Sequence, residues 1–436
     1  MFRRRLAVVV AALLSAGSGA LAVVPVSSSA PREPTGPVLA TAPAGGAPLP
    51  VATSAQLLAG RWSVLPAAPI PARDGASVVW SGTELLVWGG VAGVNPTLRA
   101  DGAAYDPEAR TWRTLPASPL SPRVGQAAVW AGTEMVIWGG DQRAGANPSD
   151  ATAGGAAYDP ATNRWSVLPA APLSARADAG AIWTGAEVVI LGGQSTQADG
   201  SSRSCGDGAA YDPSTNRWQH IPAPVPPSGH ALTLGLAAQV DGDLLAWSEW
   251  STTTQTSNGF TGTGGADLFA YSELTGRWRL IPNAAGALPD VEEVLSTGQQ
   301  AIVRGITYYC GGCPGPALPE ASDLYDPAQN RWTALPPDPV AVTGAVSAWT
   351  GAALFSFNPM GEASSPSNPS EDLVPGDASA YDLVTNTWQP LPAAPSGCND
   401  GWPWSPVWTG AAVLIYCPPS AGSAVGAGLV FTAGAG

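Results

Sequence analysis

Apolar positions along this chain come in short runs separated by turn-forming residues. Ser77-Val78-Val79-Trp80 is followed by Ser81-Gly82-Thr83-Glu84 and then by Leu85-Leu86-Val87-Trp88-Gly89-Gly90. The arrangement returns as Ala128-Val129-Trp130 with Val136-Ile137-Trp138-Gly139-Gly140, and as Ala181-Ile182-Trp183 with Val189-Ile190-Leu191-Gly192-Gly193. β-Branched and aromatic runs bounded by such residues read as strand, tight turn, strand. Runs such as Leu85 to Trp88 are apolar at every position, as expected of a sheet covered on both faces.

A second hairpin follows each of these. Ala104-Tyr105-Asp106-Pro107 precedes Trp112, and Leu115-Pro116 stands three residues beyond that Trp. The pattern recurs at Tyr158/Trp165, Tyr211/Trp218, Tyr271/Trp278, Tyr325/Trp332 and Tyr381/Trp388, always seven residues from Tyr to Trp. Asp-Pro suits the opening of a type I turn, and Asn163, Asn216, Gly276, Asn330 and Asn386 stand where the turn closes and positive φ is tolerated. Each repeat is therefore four strands. Successive Trp residues, counted from Trp62, lie 50, 53, 53, 60, 54 and 56 residues apart. Four strands at a period near fifty are the signature of a β-propeller.

Double glycine after an apolar strand, then a Tyr-Asp strand, then a Trp strand, resembles the kelch repeat over about residues 61 to 431. Repeats four to seven depart from it, with Trp247-Ser248, Arg304-Gly305, Phe357-Asn358 and Tyr416-Cys417 in place of the glycines. The expected fold is an all-β, seven-bladed kelch-type β-propeller. Arg61 to Pro66 is a Trp tail with no Tyr strand before it, and Val430-Phe431 is a Tyr-type strand with no Trp strand after it. Arg61 to Pro66 is thus expected to add as the outer strand of the last blade, residues 397 to 431, closing the ring.

Composition agrees with a turn-rich β protein: 52 Gly, 44 Pro and 12% charged residues. Residues 1–30 read as a secretory signal peptide, with Arg3-Arg4-Arg5, an apolar run from Leu6 to Leu14 and small residues after it. That run is too short for a stable membrane span. Residues 31–55, rich in Pro, Ala and Gly, read as a flexible linker, and residues 56–436 as the propeller. The net charge of −14, with no Lys in the chain, argues against nucleic acid, whose phosphates need a basic face. Five cysteines fit an oxidising compartment. Cys398 and Cys417 flank the first two strands of the last repeat and are expected to pair. A local disulfide is also expected of Cys310 and Cys313, leaving Cys205 free or competing.

Connections after the second and fourth strands vary in length (91–101, 141–153, 194–207, 248–266, 305–320, 357–378), so a binding site is expected on the face they form. Arg73, Arg123 and Arg176 enter the first strands of repeats one to three from this face, a placement that is common in kelch repeats. They either converge on an anion or bond carbonyls and acids of their own blades. Asp290 and Glu292 are expected to share a face of the innermost strand of repeat five, with Glu293 turned away. Trp250, Trp402 and Trp404 put aromatics on or near the variable face. Gly262-Thr263-Gly264-Gly265 reads as a floppy loop.

The chain also resembles the propeller domain of galactose oxidase, but its two histidines, His220 and His230, do not supply the copper-site inventory that such an enzyme requires. No G-x-S-x-G, H-E-x-x-H or P-loop occurs. No cofactor and no metal are expected. The sequence points to a secreted, monomeric, non-catalytic propeller at the cell surface or outside the cell, binding a glycan or a protein. The alternative is a carbohydrate- or sugar-acid-active enzyme like the kelch-fold epimerases or oxidases, with the three Arg holding the anion.

Overall fold

The computed structural model describes residues 49–435, apart from 94–95, 144–149, 198–199, 227–231, 233, 257–258, 283–289, 307–319, 341–344, 359–376, 396–405 and 418–426. Among the described residues the chain is all-β but for one short helix, and it forms seven four-stranded antiparallel sheets. Each is a meander. The first runs Ser77–Trp80, Leu85–Trp88, Gly102–Asp106 and Thr111–Thr114. The last combines Val407–Trp408, Ala412–Cys417 and Ala427–Thr432 with Arg61–Val64 from the other end of the chain, in the register Arg61↔Thr432, Trp62↔Phe431. The first strand of each sheet lies against that of the next, and Val407–Trp408 of the last lies against Ser77–Trp80 of the first.

The repeated residues form the joints. In the second hairpin of repeat two, Asp159 accepts from the Ala161 and Thr162 N–H groups, Asn163 takes φ 54°, and the Tyr158 hydroxyl donates to Asn163 Oδ1 at 2.7 Å. Asn216, Gly276, Asn330 and Asn386 also take positive φ, but in repeat one the residue there is Arg110, at φ 57°. The Tyr ring stacks on the Trp ring with centroids 4.9 to 5.1 Å apart in all six Tyr repeats.

Each of those Trp residues then reaches the sheet before it. Trp112 Nε1 donates to the Pro66 carbonyl, Trp165 to Pro116, Trp218 to Pro169, Trp278 to Pro222, Trp332 to Pro282 and Trp388 to Pro336, at 2.6 to 3.3 Å. Trp62 completes the set by donating to the Pro392 carbonyl, in the tail of the sixth repeat, at 2.6 Å. Sequence distance in that one pair is 330 residues.

Three features differ from the sequence expectations. The segment before the first sheet is bound from residue 50, inside the span read as linker. Trp408 Nε1 donates to the Pro50 carbonyl, Ala52 pairs with the strand end at Thr350 and Gly351, and Ser54 Oγ donates to Asp382 Oδ2 at 2.6 Å. Its helix Ser54–Leu58 carries a Thr53/Gln56 capping box, which satisfies backbone N–H groups that so short a helix leaves open. Next, residues 248–266 are not a loop, nor is Gly262-Thr263-Gly264-Gly265 a floppy one. Asp243–Thr256 and Gly259–Ser272 pair along their whole length, Thr256 opposite Gly259, where β-branched threonines favour the extended chain. Finally, the strand Asp290–Ser296, read as a regular one, bulges between Val291 and Glu293.

Candidate functional site

At the double-glycine ends of the first three sheets the chain builds a second layer. Both glycines of each pair have positive φ, from 67° to 100°. A Cβ at Gly90 would lie 2.5 Å from the Asp74 carbonyl, and one at Gly139 2.7 Å from the Arg176 carbonyl, so side chains are excluded. The second glycine N–H reaches the next repeat: Gly90 donates to the Arg123 carbonyl and Gly140 to that of Arg176, each at 2.9 Å. Past the glycines, Val91–Ala92 pairs with Arg73–Asp74 and with Thr97–Leu98, and Gln194–Thr196 pairs with Ser202–Ser204. Together with the long hairpin of repeat four, these ribbons rise from the ends where the connections vary.

The three arginines sit under this layer, each at most 3% exposed. Arg73 donates to the carbonyls of Pro71, Gly89 and Asp101 and forms a two-point pair with the Asp101 carboxylate at 3.0 and 3.2 Å. Arg176 donates to the carbonyls of Ser174, Gly192 and Asp207, to Asp207 Oδ1 at 2.9 Å and to Ser174 Oγ. Arg123 donates to the carbonyls of Ser121, Gly139 and Gly154 and to Ser121 Oγ. Each guanidinium thus ties the loops of its own repeat. They do not converge on a shared centre, because planar donors placed once per repeat meet one set of carbonyls per repeat.

Electrostatics around them differ from repeat to repeat. Burial pushes the Asp101 carboxyl up, but the hydrogen bond and charge of Arg73 outweigh it and hold it below the usual range. Asp207 behaves alike, burial being outweighed by Arg176 and by His220, whose Nε2 lies 3.1 Å from Oδ2. No described carboxylate faces Arg123, and burial pushes it down to about 10. Asp178 is the acid that sequence reading missed. It stands where Gly75 and Gly125 stand in the preceding repeats, at φ 56°, and burial together with the charge of Asp141 pushes it up to about 6. Setting Arg176-Ala177-Asp178 beneath Arg73-Asp74-Gly75 and Arg123-Val124-Gly125 would have exposed it.

Elsewhere the register against the Tyr325 strand sets Arg304 in line with Trp88 of repeat one, so that Gly305 and not Arg304 stands at the first-glycine position. Arg304 is buried against Asp338 at 3.3 Å and Glu293 at 3.7 Å, and donates to Ser347 and Ser356. Glu293 also accepts from the Ser347 N–H at 3.1 Å, so it is a buried link between the fifth and sixth sheets. The side chains of Asp290, Glu292 and Trp250, and the whole of Trp402, Trp404, Cys310, Cys313, Cys398 and His230, lie outside the described residues. Cys205 is buried and free, and Cys417 is disulfide-bonded. Among the described residues no group of three or more His, Cys, Asp or Glu could hold a metal ion. No described helix is long and apolar enough to cross a membrane.

A family model described as the KLHDC2/KLHL20/DRC7 Kelch-repeats domain matches residues 54–239. The chain carries kelch repeats. Its similarity extends to the Kelch-like protein terF of Aspergillus terreus (strain NIH 2624 / FGSC A1156), 25% identical over 244 residues, covering 54% of this chain and 49% of that protein. The chain thus spans about half the length of that curated relative. The matched family region covers the three repeats with intact double glycines, the same repeats that carry Arg73, Arg123 and Arg176.

Proposed function

We propose that this kelch chain is a non-catalytic, protein-binding propeller that acts outside the cell and presents the ribbons of its variable face to a partner. The carrying observation is the contrast between the two ends of the sheets. Hairpins of the Tyr-Trp type are short, alike and internally bonded, whereas the double-glycine ends rise into ribbons of unequal length held on a rigid base. Loops on a rigid scaffold are where recognition concentrates. In this reading the seven sheets are seven blades, and Arg61–Val64 is the outer strand of the last. The cyclic run of Trp-to-Pro bonds and the contact of the first and last inner strands support a closed ring. Residues 1–30 are a leader, residues 31–49 are a tether, and Cys417 pairs with Cys398. The anion clamp of the sugar-acid enzyme loses its support, because Arg73, Arg123 and Arg176 are engaged in separate repeats.

The test is photo-crosslinking. A reactive amino acid is placed at Thr97 or Ser202 on the ribbons, or at Glu108 on the opposite turn, and the secreted chain is exposed to native cell-envelope proteins. A discrete protein adduct from Thr97 or Ser202, absent from Glu108, is expected. Adducts only from Glu108 would reverse the face. Strong retention on a polysaccharide array with no protein adduct would replace the protein partner by a glycan.

A further inference from the structure

The three kelch arginines present the same five N–H donors, but they do not find the same five acceptors. Arg73 meets three carbonyls and both oxygens of Asp101, and Arg176 meets three carbonyls, Asp207 Oδ1 and Ser174 Oγ. Arg123 meets three carbonyls and Ser121 Oγ, four acceptors in all. The cause is one residue. Asp101 and Asp207 each stand immediately before the third strand of their sheets, at Gly102 and Gly208, and the residue before Gly155 is Gly154. A guanidinium 3% exposed is left without a carboxylate among the described residues. Beside it opens a cleft of about 500 Å³ lined by Ser121, Arg123, Gly154, Pro119, Leu120 and Leu168.

We propose that this cleft is a binding site for a carboxylate, which takes at Arg123 the place that Asp101 and Asp207 take at Arg73 and Arg176. The charge calls for an anion, since a buried cation is costly unless paired. Planar donors favour a carboxylate. Apolar walls at Pro119, Leu120 and Leu168 suit a short hydrocarbon body attached to it. Burial has already pushed Arg123 down from its usual range, and a bound anion would restore it. The cleft uses neither Thr97 nor Ser202 of the ribbons, so either reading can fail without the other.

Gly154 makes the proposal testable from within. A Cβ there would meet only Thr152 Oγ1, at 3.8 Å, and its φ lies outside the left-handed region, so Gly154→Asp can be accommodated. Thermal unfolding of the full chain would be followed at pH 7 in sodium acetate and in sodium chloride of equal ionic strength. A second arm uses a blocked peptide with one Asp against the same peptide with Asn. One of these carboxylates should raise the midpoint by a few °C, in the manner of any ligand held only by the folded state. Gly154→Asp should raise the midpoint without ligand and cancel the response, and Asp101→Gly should create a second response in repeat one. A response to acetate alone marks a small free carboxylate as the ligand, and one to the Asp peptide marks a side chain. Equal midpoints in all salts and peptides would overturn the site, as would a Gly154→Asp chain that keeps the full response. If Asp101→Gly fails to fold, the Gly154→Asp comparison decides alone.

Discussion

Trp62 is where the two ends of the chain meet, and its removal measures whether they are joined in solution. Its ring lies 4.9 Å from Phe431 in its own sheet and 5.3 and 6.0 Å from Phe357 and Phe355 in the sixth, while Nε1 donates to Pro392. Cutting a well-packed Trp to Ala costs about 3–5 kcal/mol. The half-buried setting of Trp62 lowers that to roughly 2–4 kcal/mol, of which the N–H···O bond contributes about 1. Trp62→Phe keeps most of the stacking and should lose only about 1 kcal/mol. Trp112 is the internal standard, since it makes the same bond to Pro66 and approaches Tyr416 of the last sheet at 6.3 Å. Denaturant midpoints followed by circular dichroism should fall for Trp62→Ala and Trp112→Ala alike, with Trp62→Phe between them and the parent chain. A Trp62→Ala chain that unfolds with the parent while Trp112→Ala drops would refute the joined ends. Arg61–Val64 would then be a passenger, and the last sheet would have three strands.

Asp178 should set a pH dependence of unusual sign. Its carboxyl is raised to about 6 in the folded chain from 3.8, so the folded state holds the proton more tightly and stability declines as pH rises through that window. Asp178→Asn also tolerates positive φ, and it should remove the decline and stabilise the chain at pH 7 by about 1–3 kcal/mol, read as a flatter profile of unfolding midpoint against pH. Asp101 and Asp207 have the opposite sign. Both are lowered in the folded state, so their contribution is present above pH 4 and is lost as pH falls through the folded values. Asp207→Asn should therefore shallow the acid limb of the same profile. Arg110→Asn should stabilise repeat one by about 1 kcal/mol, by easing the φ of 57° and providing Tyr105 with the acceptor that Tyr158 finds in Asn163; an unchanged melt would mean Arg110 is not strained.

What the sequence disclosed and what it hid divide along one physical line. Joints made by neighbours in sequence were legible: Asp-Pro followed by Asn dictates its own turn, and a Tyr seven residues from a Trp must face it across a four-residue loop. The Arg61–Val64 strand was legible for a different reason, since a Trp tail without its Tyr strand and a Tyr-type strand without its tail complete one another. Features set by the neighbouring repeat were not. The seven Trp-to-Pro bonds link residues at least 46 apart, and no local pattern announces a carbonyl as their acceptor. The long hairpin of repeat four hid because glycines weaken the strand signal, although pairing over fourteen residues on each side compensates for them. The Arg123 cleft was hidden most deeply. It depends on a residue the repeat lacks, and Gly154 becomes informative only when the geometry shows that the same position in two sister repeats holds the acid that neutralises a buried arginine. One-per-repeat residues are scaffold until one copy loses its partner, and a chemistry unlike that of its sisters arises at that copy.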